Sequence, residues 1–333
     1  MDKTIYAQAV SRIRAMENRL LDSTKINRMI ESSTADEAMK VLQETEYGEF
    51  MGSVKRVEDY EILLSEELKR VYSLMYEISP EKLIVDILSL RYDYHNIKVL
   101  IKAKILNKDY DYLLIPVGTT DVDILKNSIY TENYVDLNND MREAIEKSLA
   151  SYELEHDPQK IDIYVDRYLY KKMLKLAHKL DDTFMIEYIQ KMIDITNIKT
   201  FLRVKNQKKE KEFLNEVLIN GGKIDLDIFR DYYNDSNENF MNRISHTDYF
   251  DILREGLEKF NSSGSLNAFE KLFDDFIMKF IREAKYVSFG VEPLMAYVLA
   301  KETEIKIIRI IMVGKLNNVK PDVIRGRLRD VYV

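Results

Sequence analysis

The sequence predicts an all-α protein, and three observations carry that reading. Glycine (10) and proline (5) are scarce in 333 residues, so few turns are signalled and long helices are favoured over short strands. Apolar residues recur at helical spacing through most of the chain, and no window of strict two-residue alternation stands out. A six-residue string also returns at a near-constant interval. Asp93-Tyr94-His95-Asn96-Ile97-Lys98 is followed 101 positions later by Asp194-Ile195-Thr196-Asn197-Ile198-Lys199, and a degraded Lys301-Glu302-Thr303-Glu304-Ile305-Lys306 follows 107 positions after that.

Residues 4–22 read as an amphipathic helix, with Ile5, Ala9, Ile13, Met16 and Leu20 on one face and Arg12, Arg14, Glu17 and Arg19 off it. Asp22-Ser23-Thr24 caps the next helix, over 25–31, and Thr34 or Asp36 caps another that Tyr47-Gly48 ends. A charged helix spans 57–78. Pro80 opens its successor at a first-turn position, where the missing N–H costs nothing. Helical pattern then runs through Leu106 to a connector at 110–120 containing Pro116 and Gly118. Asp121-Val122-Asp123 caps a helix, 141–152 is helical, and His156-Asp157-Pro158 turns the chain into a helix over 160–180. Asp181-Asp182-Thr183 caps the helix that holds the second string, and Gly221-Gly222 forms the second connector. Asp225-Leu226-Asp227 caps again, 234–239 is a polar break, 249–260 is helical, and 262–265 is a Ser/Gly loop. A long helix over 268–285, a connector at 288–290, a helix from Pro293, and a basic helix from Pro321 complete the chain.

The repeat has a second mark. Gly118-Thr119-Thr120-Asp121-Val122-Asp123-Ile124-Leu125-Lys126 matches Gly222-Lys223-Ile224-Asp225-Leu226-Asp227-Ile228-Phe229-Arg230, Asp322-Val323-Ile324-Arg325 is a third instance, and Lys25-Ile26-Asn27-Arg28 is a weak fourth. An interval of this size exceeds the roughly 34–47 residues of tetratricopeptide and HEAT units, so each unit has the size of a small helical domain. The expected division is 1–117, 118–220 and 221–333, three pseudo-threefold-related helical repeats with the last helix closing against the first unit.

Charge and composition exclude several functions. The net charge is −7, the opposite of the basic balance of a nucleic-acid binder. No cysteine is present, which removes disulfides, thiolate metal sites and cysteine nucleophiles, and fits a reducing compartment. No apolar signal segment follows Met1-Asp2-Lys3-Thr4, and no run of about 18 apolar residues occurs, so no membrane span is expected. His95, His156, His178 and His246 are scattered without zinc spacing, and no phosphate-binding or dinucleotide glycine motif is present. The Asp121/Asp123 and Asp225/Asp227 pairs could serve acid–base chemistry, but each lies just before a helical pattern, where N-capping accounts for it. No catalytic, metal or cofactor-binding residue is therefore expected.

The helices bearing the string are basic within an acidic protein. Lys98, Lys199 and Lys306 occupy matching positions, with Arg203 and Arg309 beside them. They are either solvated cations with local acidic partners, or a set that presents positive charge to a shared axis or a negative partner.

The N-terminal Tyr6-Ala7-Gln8-Ala9-Val10-Ser11-Arg12-Ile13-Arg14-Ala15-Met16-Glu17, the stretch Leu42-Gln43-Glu44-Thr45-Glu46-Tyr47, the first string with Arg91 and Tyr92 before it, and the tail from Pro293-Leu294-Met295-Ala296-Tyr297 through Glu302-Thr303-Glu304-Ile305-Lys306 to Gly314-Lys315-Leu316-Asn317 resemble the C subunit of the V/A-type rotary ATPases, called the d subunit in the eukaryotic V-ATPase. The order and spacing of these stretches carry the resemblance, which covers essentially the whole chain and is weakest at 107–112 and 234–246. It implies a funnel-shaped socket of three helical domains without enzymatic activity or cofactor. One copy per complex would receive the central shaft, made of the D and F subunits, on one face, and sit on the membrane rotor ring of proteolipid subunits by the other. It would be a peripheral protein at the cytoplasmic face, where Lys98, Lys199, Arg203, Lys306 and Arg309 are candidates for the socket wall. A helical-repeat scaffold unrelated to rotary ATPases is the alternative, separated from the first by co-purification with a shaft and a ring.

Overall fold

In the computed structural model, residues 3–264 and 266–333 are described, and among them no strand occurs. The helices are α1 (Ala7–Glu17), α2 (Ser23–Glu31), α3 (Ala35–Gln43), α4 (Tyr60–Ile78), α5 (Lys82–Leu106), α6 (Val122–Thr131), α7 (Asn139–Glu155), α8 (Gln159–Leu180), α9 (Thr183–Asn206), α10 (Lys211–Val217), α11 (Leu226–Asp231), α12 (Asn237–Arg243), α13 (Phe250–Ser263), α14 (Asn267–Arg282), α15 (Val291–Leu316) and α16 (Pro321–Arg327). The chain divides into two compact units. The first joins the residues up to Val85 with Lys271–Val333, and the second is Asp86–Glu270.

Local chemistry sets most helix starts. The side chains of Asp22, Thr34, Asp121, Asn138, Asp182, Asp225 and Ser236 each accept a backbone N–H from the first turn of the helix they precede. Each such cap stabilises its helix by about 1 kcal/mol. Helices α7 and α8 end on His156 and Asp181 in the left-handed conformation.

Several expectations shift. The first helix is shorter than 4–22, because Lys3–Tyr6 form a 3₁₀ turn and the chain breaks after Glu17. Pro80 stands two residues ahead of α5 rather than within its first turn. Gly48 does not cap α3 but sits in a 3₁₀ stretch, Glu46–Ser53, where a Cβ would meet Gln43 O at 2.4 Å. Asp322 is not a cap; α16 starts with Pro321, and Asp322 pairs instead with Arg325 at 3.1 Å. Helix α13 continues to Ser263, and Ser265 of the expected loop lies outside the described residues.

In the first unit α15 is the core. It is buried on every side over its first three turns, through Leu294, Met295, Ala296, Tyr297, Val298, Leu299 and Ala300, as an all-round apolar helix must be. Helices α1, α2, α3, α4 and α16 pack on it or on one another. Chain ends meet there: Arg14 donates to Ala284 O at 2.6 Å and Val287 O at 2.8 Å, and Tyr332 donates to Glu17 at 3.1 Å. Helix α16 lies against α2, with Ile324 buried over Gly314, and Lys315 caps the carbonyls of Ile30 and Ser32.

The second unit holds α9 and the part of α5 that follows Val85. Helices α7, α8 and α9 pack in sequence, and α9 holds the short helices α11 and α12 through an aromatic cluster. Phe201 stacks on Phe240 with ring centroids 4.2 Å apart, and Phe229 lies 5.8 Å from Phe201. Aromatic pairs of this kind add about 0.5–1.5 kcal/mol beyond the area they bury.

Candidate partner-contact site

The repeated string has a definite structural job in the second unit. Asp93, on α5, is fully buried and accepts from Thr119 N at 2.8 Å, Thr119 Oγ1 at 2.6 Å and Thr120 N at 3.0 Å. Asp194, on α9, is also fully buried and accepts from Lys223 N at 3.0 Å, Ile224 N at 3.1 Å and Tyr249 Oη at 3.0 Å. One turn on, Asn96 exchanges two 2.8 Å bonds with the backbone of Ile115, and Asn197 exchanges two 2.8 Å bonds with Ile219. Each string therefore clamps its connector at two points, which satisfies backbone groups that burial would otherwise orphan. The connector glycines follow from the clamp. A Cβ on Gly118 would lie 2.2 Å from Asp93 Oδ1, and one on Gly222 would lie 2.0 Å from Asp194 Oδ1. Burial raises the pKa of both aspartates above the ordinary 3.8, against the hydrogen bonds that hold the charged form.

The third string sits in different electrostatics. Lys301, in the first unit, is fully buried, and its ammonium lies 2.9 Å from Glu67, 2.9 Å from Glu304 and 3.1 Å from Glu46. Arg70 bonds the same Glu67 at 2.7 Å and Glu46 at 3.0 Å. Burial works against the Lys301 charge, but the surrounding carboxylates, Glu304 and Glu67 foremost, hold its pKa above the ordinary 10.5. Glu304 also accepts from Leu21 N at 2.5 Å and Tyr47 Oη at 2.9 Å. Sequence reasoning missed this cluster, because Glu67 and Glu46 lie 234 and 255 positions from the lysine in a featureless charged background.

All five candidate wall cations have intramolecular acidic partners. Lys98 meets Asp166 at 2.8 Å, Lys199 meets Glu270 at 2.6 Å, and Arg203 lies 4.0 Å from the same Glu270. Lys306 pairs with Asp274, and Arg309 grips Glu61 through two bonds of 2.7 and 2.9 Å. The structure brings Lys199 and Arg203 together on one acid, whereas Lys306 and Arg309 go to separate helices, α14 and α4.

Between α8, α9 and α10 lies a cavity of about 270 Å³ lined by Asp162, Asp166, Thr196, Thr200, Arg203 and Phe213 among others. Its two acids already face Lys102 and Lys98. No cluster of histidine and acidic side chains able to hold a metal occurs among the described residues. The Asp-x-Asp pairs are caps: Asp121 accepts from Asp123 N at 2.8 Å and Asp225 from Asp227 N at 2.9 Å. His95 makes a 3.0 Å bond with Leu113 O, in the first connector. Among the described residues no helix is long and apolar enough to cross a membrane.

Comparison with known proteins gives one consistent result. The ATP synthase (C/AC39) subunit family matches residues 9–327. The C subunit of the V-type sodium ATPase of Enterococcus hirae is 30% identical over 322 residues, covering 96% of this chain and 97% of the relative. The C subunit of the A-type ATP synthase of Methanocaldococcus jannaschii is 29% identical over 351 residues, covering 98% and 87%. Its counterpart in Thermococcus kodakarensis is 27% identical, covering 98% and 91%.

Proposed function

This chain belongs to the ATP synthase (C/AC39) subunit family, and we propose that it carries torque, without chemistry of its own, between the central shaft and the membrane rotor ring of a V/A-type rotary ATPase. The observation that carries the reading is the family match over nearly the entire chain, with relatives that align along 87–97% of their own length. In this reading the chain is a three-repeat, funnel-shaped socket, divided near 117 and 220. It is present once per complex on the cytoplasmic face, receives the D–F shaft on one side and rests on the ring by the other. Lys98, Lys199, Arg203, Lys306 and Arg309 contribute to its wall. Two features favour a mechanical part. The clamps at Asp93 and Asp194 and the ion cluster at Lys301 commit buried polar groups to fixing backbone and helix position. The paired wall cations also keep their charge in place ahead of docking, where complementary charge steers association more than it adds affinity.

Purified chain mixed with a D–F shaft and, separately, with detergent-solubilised rotor ring should be retained by both. Reversing Lys98, Lys199 and Lys306 to glutamate together should weaken shaft capture, more at low salt than at high salt. Retention by neither partner would reject the reading, and a folded triple variant that binds normally at low salt would remove the cations from the wall.

A further inference from the structure

Three buried carboxylates make the same contact at the same place in their surroundings. Asp93 accepts the N–H of Thr120, the residue before the N-cap Asp121 of α6. Asp194 accepts the N–H of Ile224, the residue before the N-cap Asp225 of α11. Glu304 accepts the N–H of Leu21, the residue before the N-cap Asp22 of α2. The likeness extends outward from the last two. Tyr249 Oη donates to Asp194 at 3.0 Å, and Tyr47 Oη donates to Glu304 at 2.9 Å. Each tyrosine leaves the same turn: Thr247 donates to Ile244 O at 2.7 Å and accepts from Tyr249 N at 3.4 Å, while Thr45 donates to Leu42 O at 2.6 Å and accepts from Tyr47 N at 3.3 Å. The residue between threonine and tyrosine reaches a lysine three positions before the carboxylate, as Asp248–Lys191 at 2.7 Å and Glu46–Lys301 at 3.1 Å.

We propose that Glu304 is the third copy of the Asp93/Asp194 anchor, that residues 22–47 complete the repeat which α15 begins, and that Arg309, not Lys306, is the counterpart of Lys98 and Lys199. The third copy is thus registered three residues later than its string implies. Its ion pair agrees: Lys98 meets Asp166 early in α8, Lys199 meets Glu270 in the first turn of α14, and Arg309 meets Glu61 in the first turn of α4. Lys306 belongs elsewhere, because its partner Asp274 is also bonded at 2.8 Å by Arg329 of the C-terminal tail. The same register explains the missing asparagine. Asn96 and Asn197 pin connector backbone at Ile115 and Ile219, six residues before the N-caps Asp121 and Asp225. Six residues before Asp22 is Met16, inside α1, whose backbone needs no clamp, and the corresponding position on α15 is the buried, apolar Ile307. The anchors are positioning residues that set each cation-bearing helix against its capped partner.

Amide hydrogen exchange on the full chain tests the register independently of any partner. E304Q should speed exchange at Leu21 and through α2 by about tenfold, the loss expected when a buried hydrogen bond to a charged group is weakened. D194N should do the same at Ile224 and α11, and D93N at Thr120 and α6, each leaving the other two capped helices at wild-type protection. Y47F and Y249F remove the tyrosine hydroxyl that bonds the anchor and should loosen α2 and α11 respectively, which keeps the test decisive if E304Q does not fold. Wild-type protection at Leu21 and α2 in the third-copy variants, or equal loosening of all three helices by any one of them, would overturn the assignment.

Discussion

Replacing Lys301 by methionine keeps the aliphatic stem and removes the charge at the centre of the first unit. The lysine is shared by Glu67, Glu304 and Glu46 within 3.1 Å, and its loss leaves Arg70 on Glu67 and Glu46, with Arg19 3.6 Å from Glu46. Removing one partner of a buried ion pair costs about 3–5 kcal/mol; because Arg70 still compensates two of the acids, the lower end, about 3 kcal/mol at neutral pH, is expected. The pH dependence gives a second handle. Burial pushes the Glu67 carboxyl up, but the Arg70 hydrogen bond and the Lys301 charge overcome it and hold the pKa below 4.5. Its contribution is therefore present above 4.5 and lost as pH falls through the folded value. The pKa of Lys301 is raised above 10.5, so its contribution is complete at any pH below that and is lost only as pH rises through the folded value. In K301M Glu67 keeps Arg70 but loses the Lys301 charge that helps hold its pKa down, so acidification should cost the variant less than the wild type and narrow the gap between them. Urea denaturation at neutral and mildly acidic pH, followed by helical circular dichroism, measures both effects. A loss below about 1 kcal/mol, ordinary for a point change, with parallel pH curves would refute the claim that this cluster holds the unit together.

Asp121→Ala and Asp225→Ala should each lower stability by about 1 kcal/mol, and the asparagine variants by a few tenths at most, in thermal or urea unfolding; a larger effect of asparagine would point to a role beyond capping. Gly118→Ala and Gly222→Ala force a Cβ to within about 2 Å of the anchor carboxylates, and should cost about 1–3 kcal/mol as overpacking does; unchanged unfolding midpoints would show that the connectors can move aside. Deleting 319–333 removes Ile324 from Gly314 and Arg325 from Glu31, so amide exchange in α2 should accelerate, and unchanged exchange there would show that α16 is dispensable to the first unit.

How legible these features are in the sequence follows from the range of the forces involved. Caps at Asp22, Thr34, Asp121, Asp182 and Asp225 can be read directly, because a side chain bonding two or three residues ahead is a local event. The short α10 and α12 escape such a reading, since seven residues carry too little periodicity and their hold comes from single buried side chains, Leu214 and Phe240. The connector glycines announce turns, yet their reason is the approach of Asp93 and Asp194 from another helix. Under the register proposed above, the offset of the third string has a geometric reason. A slip of three residues turns a helix by about 300°, which nearly preserves its buried face, so matching Ile305-Lys306 to Ile97-Lys98 looks as good as the register that the contacts favour. Of the proposed wall residues, the charges are visible in sequence, but their acidic partners at 61, 166, 270 and 274 are not.

Mechanical coupling is tested most directly by a motor reconstituted in vesicles with and without this chain, measuring ATP hydrolysis and ion uptake together. With the chain present, hydrolysis should drive ion uptake; without it, hydrolysis should continue while uptake is lost, and adding the chain back should restore uptake. Ion uptake that proceeds at the same rate and the same ratio to ATP in the chain's absence would contradict the account.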